Sequence, residues 1–148
     1  GANKVQVVKD LKGNVVTSAI NAGSYNYEIS ISKKNYETLV LNSTLNITKA
    51  EFAGVEFKDV SYEYDGNPHS IEITGTLTGD SIVTYSSDVS GMTNSATEVG
   101  EYNVTATITN PNFETLVLTR MYMALLRVKR GKSIWVARSL HTQRGWQK

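Results

Sequence analysis

The sequence predicts an all-β fold, antiparallel and built as immunoglobulin-like sandwich repeats, and three observations carry that prediction. Apolar and polar residues alternate with a period of two in several stretches of residues 1–119. Turn-forming residues interrupt the alternation roughly every ten positions, the spacing of short strands in a sandwich. A length of chain also recurs without gaps 77 residues further on. Period two puts successive side chains on opposite faces of a half-buried strand, and many short strands between turns favour a sandwich. A β-grasp-like sheet with a small helix fits nearly the same pattern and stands as the alternative, although no segment of the body shows a convincing helical period.

The recurrence is seen by laying Ala19–Leu41 over Ala96–Leu118, where 11 of 23 positions are identical. Gly23 meets Gly100, Tyr25 meets Tyr102, Asn35 meets Asn112, and Glu37-Thr38-Leu39-Val40-Leu41 meets Glu114-Thr115-Leu116-Val117-Leu118. Self-similarity at a fixed offset is the signature of repeat architecture. In the first copy Tyr25, Tyr27, Ile29 and Ile31 alternate with Asn26, Glu28 and Ser30; in the second, Tyr102, Val104, Ala106 and Ile108 do the same. Lys33-Lys34-Asn35 and Asn110-Pro111-Asn112 supply turns, so each strand is expected to form an antiparallel hairpin with the next. The inward set of the following strand in the first copy is Leu39, Leu41, Leu45 and Ile47, with Ser43 at a bulge or a sheet edge.

Further along, Val60, Tyr62 and Tyr64 alternate up to Asp65-Gly66-Asn67-Pro68. Gly66 can take a left-handed conformation there and Pro68 ends ladder pairing, so a turn is expected. Ile71 and Ile73 follow, Gly75 and Gly79-Asp80 punctuate, and Ile82–Tyr85 reads as another short strand before the loop Ser86–Ser95.

The chain has 148 residues, 40% of them hydrophobic and 20% charged, enough to bury a core. It has no cysteine, so no disulfide and no thiol nucleophile is available. No charged start with an apolar run and no long apolar span is visible, so a signal peptide and an anchor are expected to lie outside this stretch. The formal net charge of +1 is unevenly placed: residues 1–119 hold 7 of the 15 Lys and Arg and all 14 Asp and Glu, leaving the last 29 residues with 8 basic and no acidic ones. The repeat match stops at Leu118, and both Trp fall in RMYMALLRVKRGKSIWVARSLHTQRGWQK. Residues 120–148 therefore read as an irregular, anomalous basic tail, of the kind a shifted reading frame or misassembled gene end produces. The other readings are a tail that binds anionic polymers and a divergent strand over Met121–Val128, in which Met121, Met123 and Leu125 alternate. The domain division is 1–49, the second half of one repeat; 50–119, a second repeat without its regular last strand; and 120–148, the tail.

Several of these segments resemble the MBG or YDG repeats of bacterial surface proteins. Ile47-Thr48-Lys49-Ala50 is similar to the junction between such modules, Tyr64-Asp65-Gly66-Asn67-Pro68-His69 to their YDG turn, and Val99-Gly100-Glu101-Tyr102 to their Gly-x-Tyr strand start. The resemblance covers about one module over 47–119, and 5–49 matches the second half of another. It implies an extracellular or cell-surface stalk or adhesin in which neighbouring repeats are the first partners, without catalytic residues, cofactor or metal.

The motif residues Gly23, Tyr25, Tyr64, Asp65, Gly66, Gly100 and Tyr102 are read as structural: Tyr64 packs, Gly66 supplies the backbone angle, and Gly100 lets the chain enter its strand sharply with Tyr102 as a core aromatic. Asp59, Asp65, Asp80 and Asp88 are scattered rather than spaced as a calcium loop. His69 lies in a turn and His141 in the tail, far from the converging groups that acid–base catalysis requires. An enzyme is not expected, nor are nucleic-acid binding or membrane insertion. A carbohydrate- or protein-binding module using exposed tyrosines is the alternative to a spacer, and it needs at least two tyrosines side by side where their faces can stack on a glycan or host protein.

Overall fold

The structure is a computed structural model that describes residues 4–130 and 133–137, and every regular element in them is a strand. The helix of the β-grasp alternative is not found among the described residues. The chain forms two units, one of Gly1–Ala50 with Pro111–Phe113 and one of Glu51–Asn110 with Glu114–Lys148.

In the first unit β1 (Val5–Asp10), β2 (Gly23–Ser32) and β3 (Leu39–Ile47) make an antiparallel sheet in that order. The alternation expected from the sequence is present: Val8, Ile29 and Leu41 form one cross-strand row, Asp10, Tyr27 and Ser43 the next, and Tyr25 faces Leu45. The hairpin between β2 and β3 closes where Asn35 adopts φ 70° and the Tyr36 N–H donates to the Lys33 carbonyl at 3.1 Å. Asparagine tolerates this left-handed backbone better than most residues. Ser43 sits in unbroken register opposite Tyr27, so there is no bulge at it; β3 is an edge strand instead. The leucines expected to point inward share a face, yet Leu39, Leu41 and Leu45 are 52%, 45% and 42% exposed. Three strands provide one layer, and among the described residues no second layer covers it.

The second unit contains β4 (Val55–Glu56), β5 (Val60–Glu63), β6 (His69–Ser70), β7 (Thr74–Gly75), β8 (Ile82–Ser87), β9 (Ser95–Ala96), β10 (Gly100–Asn110), β11 (Phe113–Arg130) and β12 (Ser133–Ala137). Its main sheet runs β12-β11-β10-β8, with β5 added parallel to β11 through Val60 opposite Tyr122 and Glu63 opposite Leu125. Two short ladders, β4 with β7 and β6 with β9, accompany it. The core joins Tyr102, Val104 and Ala106 of β10 and Tyr122 and Ala124 of β11 to Phe57 and Ile71, which follow β4 and β6. These residues form a two-layered, sandwich-like core. Full burial of an aliphatic or aromatic side chain contributes about 1.5–3 kcal/mol, so Ile71, Val104, Ile108 and Tyr122, the largest fully buried side chains, dominate the unit's stability.

The irregular tail expected from residue 120 is corrected over the described residues 120–130 and 133–137, which are strand. β11 continues through the proposed boundary to Arg130, and Tyr122 and Ala124 are buried in the core. The alternation of Met121, Met123 and Leu125 is real but marks the less buried phase. A strand read by its apolar content alone has two possible phases here, and the core selects the one holding the tyrosine.

The two units share one plan. The β1–β2 pairs Val5 with Ser32 and Asp10 with Tyr27 recur, 77 residues on, as Ile82 with Thr109 and Ser87 with Val104 between β8 and β10.

Candidate functional site

The residues common to both copies make the same local structure. In the second unit the Tyr102 hydroxyl donates to the Glu98 carbonyl at 2.8 Å, and in the first the Tyr25 hydroxyl donates to the Asn21 carbonyl at 2.7 Å. Each tyrosine thus turns back over the glycine two residues before it and ties down the chain that enters its strand, as a tyrosine corner does. A Cβ on Gly100 would lie 2.9 Å from Cζ and Oη of Tyr102; one on Gly23 would lie 3.5 Å from the Tyr25 ring. Gly100 therefore keeps space for the ring, while Gly23 carries φ 154° as well. Burial, then the nearby Glu98 charge, pushes the Tyr102 phenol up.

The turn at 64–69 is held by Asp65. Its Oδ1 accepts the Asn67 N–H at 2.9 Å and lies 3.0 Å from Nε2 of His69, and Gly66 takes φ 79° as expected. The Asn67 N–H and then His69 hold the Asp65 carboxyl below its ordinary range. Tyr64 does not pack as expected. It is exposed, and its backbone N–H instead donates to the Leu125 carbonyl at 2.7 Å. Tyr62 takes the packing role, stacked on His69 at 4.5 Å and tilted against Tyr122 at 5.7 Å. The alternation set by Val60 and Tyr62 ends with β5 at Glu63, so Tyr64 belongs to the turn.

The other aspartates are dispersed. Asp59 accepts the Met121 N–H at 2.8 Å, and Asp88 accepts both the Asn103 N–H and its side-chain amide at 3.0 and 2.9 Å. Asp80 lies in the turn before β8. A cleft of about 460 Å³ is lined by Val55, Phe57, Lys58, Asp59, Leu118 and Arg120. Lys58 there pairs with Glu56 at 2.9 Å and Asp59 holds Met121, so its charged groups serve the strands around it. His141 lies outside the described residues.

The tyrosines divide between the units. Tyr62, Tyr85, Tyr102 and Tyr122 belong to or pack against the second unit's core. Tyr25 and Tyr27 are half-buried neighbours on one face of β2, their ring centroids 6.4 Å apart and their planes within 7°. Tyr36, 70% exposed, has the Lys33 ammonium 5.0 Å from its ring.

Sequence reasoning missed Tyr122, whose hydroxyl donates to the Ala96 carbonyl at 3.0 Å, and Asn94, whose side-chain amide donates to the Ile71 carbonyl at 3.0 Å. A signal for Tyr122 is present: the shift of 77 residues carries the inward pair Leu45 and Ile47 onto Tyr122 and Ala124. Asn94 sits in a Ser/Gly/Asn-rich loop with no periodicity to distinguish it.

Residues 53–121 match the MBG domain family. This stretch of the second unit is similar to an MBG domain. The MBG match ends at Met121, past Thr119, in keeping with the continuation of β11. No curated protein matches the chain. An MBG domain is a surface-protein type of module, and among the described residues no helix is long and apolar enough to cross a membrane.

Proposed function

We propose that this chain is a non-catalytic structural spacer of a bacterial cell-surface or secreted adhesin-like protein, with its repeats arranged in tandem and neighbouring repeats as its partners. One observation carries the reading: the Gly-x-Tyr residues common to the two copies bond to their own module. Tyr25 and Tyr102 reach carbonyls four residues back, and their glycines make room for them. The YDG turn likewise closes on itself through Asp65, Asn67 and His69. Groups so engaged build a repeatable unit and leave little to present to a ligand, which supports a spacer.

The second reading, an adhesive module for glycans or host proteins, is favoured by Tyr25 and Tyr27. Two near-parallel rings side by side on one sheet face offer aromatic surface against which a sugar ring can pack. A binding screen of the whole chain against glycans and matrix proteins separates the two. Uniform silence from folded protein is the outcome expected of a spacer. A saturable hit lost in the Tyr25→Ala, Tyr27→Ala double variant overturns it in favour of adhesion.

A further inference from the structure

β11 is flanked by β10 on one side, while on the other β5 covers only Tyr122–Leu125. The ends of that parallel ladder show which backbone groups turn outward: the Met121 N–H donates to Asp59, and the Leu125 carbonyl accepts the Tyr64 N–H. Hydrogen-bonding direction alternates along a strand. Thr115, Val117 and Thr119 therefore turn their N–H and C=O groups to the same side as Met121, and among the described residues no strand pairs with them there. Residues 51–59 form the opposite wall, with their backbone turned to β7 instead: Val55 and Glu56 pair with Gly75 and Thr74, and the Gly54 carbonyl accepts the Thr76 N–H at 3.4 Å. Two cavities lie between the walls. One of about 280 Å³ is lined by Glu51, Phe52, Glu114, Thr115 and Leu116, and one of about 460 Å³ by residues 55–59, Leu118 and Arg120. They follow one another along β11 and make a slit from Glu114 to Arg120, both walls of which belong to the second unit.

The floor of the slit is apolar: Phe57 is buried, and Val55, Leu116 and Leu118 are half-buried. Its ends differ in charge. At one, Glu51 and Glu114 have no ion-pair partner among the described residues. At the other, Arg120 likewise lacks a carboxylate and donates from Nη1 to the Thr119 carbonyl at 2.7 Å. The geometry points to a binding site for an extended peptide of a partner protein, which adds to the unpaired stretch of β11 as an antiparallel strand. Antiparallel pairing is the more stable arrangement per residue, and it sets the occupant's chemistry, because residues directly opposite share a face. A carboxylate opposite Arg120 takes the guanidinium fork, which leaves the Thr119 carbonyl for it. β-Branched apolar side chains opposite Leu118 and Leu116 cover the floor, and a Lys or Arg opposite Glu114 meets the two acids. The residues between them lie opposite Thr119, Val117 and Thr115 and exchange main-chain bonds with each. Strand addition of this type takes affinity from those bonds and selectivity from the alternate side chains. The site goes beyond the spacer reading and does not rest on it: a glycan hit lost in the Tyr25, Tyr27 double variant would sink the spacer and leave the slit standing.

The test adds the heptapeptide Glu-Thr-Val-Thr-Val-Thr-Lys, blocked at both ends, to the whole isotope-labelled chain and follows binding and amide exchange. The expected result is saturable binding, with exchange slowed at Thr115, Val117 and Thr119 in alternation and unchanged at Met121, whose N–H is already bonded to Asp59. Arg120→Ala should weaken binding by about tenfold or more, a change of at least 1.4 kcal/mol, and Glu114→Gln should weaken it too, while Lys34→Ala in the first unit should leave it intact. A peptide with Lys in place of its Glu should bind about tenfold more weakly, and one N-methylated at its three threonines should not bind. These two arms leave the labelled chain itself unaltered. Absence of binding overturns the proposal, as does equal binding of the N-methylated peptide, the mark of charge attraction without strand pairing. Protection confined to other strands overturns it equally, as does a chain whose Thr115, Val117 and Thr119 amides are already slow to exchange because a second copy covers them.

Discussion

Gly100 and Gly79 show how differently one methyl group can act at two glycines of the same unit. At Gly100 the added carbon meets the Tyr102 ring, which cannot withdraw without losing its bond to Glu98 and its place in the core. Overpacking of this kind costs about 1–3 kcal/mol, and urea unfolding of Gly100→Ala should show it. At Gly79 the methyl meets nothing within 4 Å, so Gly79→Ala should be neutral or stabilising by up to about 1 kcal/mol through the unfolded chain. Asp65 adds a pH dependence. Its folded pKa is depressed, first by the Asn67 N–H and then by His69. The stability it contributes is therefore present above the unfolded value of about 3.9 and lost as pH falls through the lower folded value. In thermal melts between pH 7 and pH 2, Asp65→Asn should lose less stability on acidification than the parent. Acid sensitivity that remains belongs to Asp10 and Asp88, whose carboxyls are also held low, by Asn14 and by Asn103.

β2 and β10 are legible in the sequence because their alternation is local and each is followed by turn residues that fix a hairpin. β11 is legible only to Leu118, where identity with the first copy ends, although the burial pattern persists: Tyr122 and Ala124 stand where Leu45 and Ile47 do. Burial needs volume and phase, not identity, so a match scored by residue type loses a strand that the core retains. The parallel partner of β11 is illegible for another reason. Alternation reports which face a residue takes and is silent on which strand lies alongside, and β5 lies some sixty residues away in sequence. Ladders of two residues such as β4 with β7 are too short to show a period at all. Tyr62 and Tyr64 cannot be distinguished by type; the end of β5 at Glu63 decides that the first packs and the second does not. These points make the end of β11 testable. Chain ended after Thr119 should fail to fold its second unit, whereas chain ended after Arg130 should keep it, as judged by the dispersion of its amide resonances. Tyr122→Ala, which empties a fully buried aromatic site, should cost about 3–5 kcal/mol.

Across the whole molecule, stability is unevenly divided. Among the described residues every buried hydrophobic side chain lies between Phe57 and Ala124, so the first unit depends on its ladder and on a half-covered face. Local opening free energy follows buried apolar contact. Amides of β1 to β3 should therefore exchange well before those of β10 in native-state hydrogen exchange, and two separate transitions are expected on heating. Equal protection of β2 and β10 would contradict this. The parallel alignment of β5 with the end of β11 has a mechanical consequence. The first of these strands lies near the start of its unit and the second near its end. Tension entering before β5 and leaving after β11 draws the two in opposite directions along their length. The evenly spaced bonds of a parallel ladder are then loaded together in shear, not unzipped one by one from a hairpin end. A pulled chain should yield first at the three-stranded unit, which has no such pair, and the second unit should hold as a clamp until a distinctly higher force.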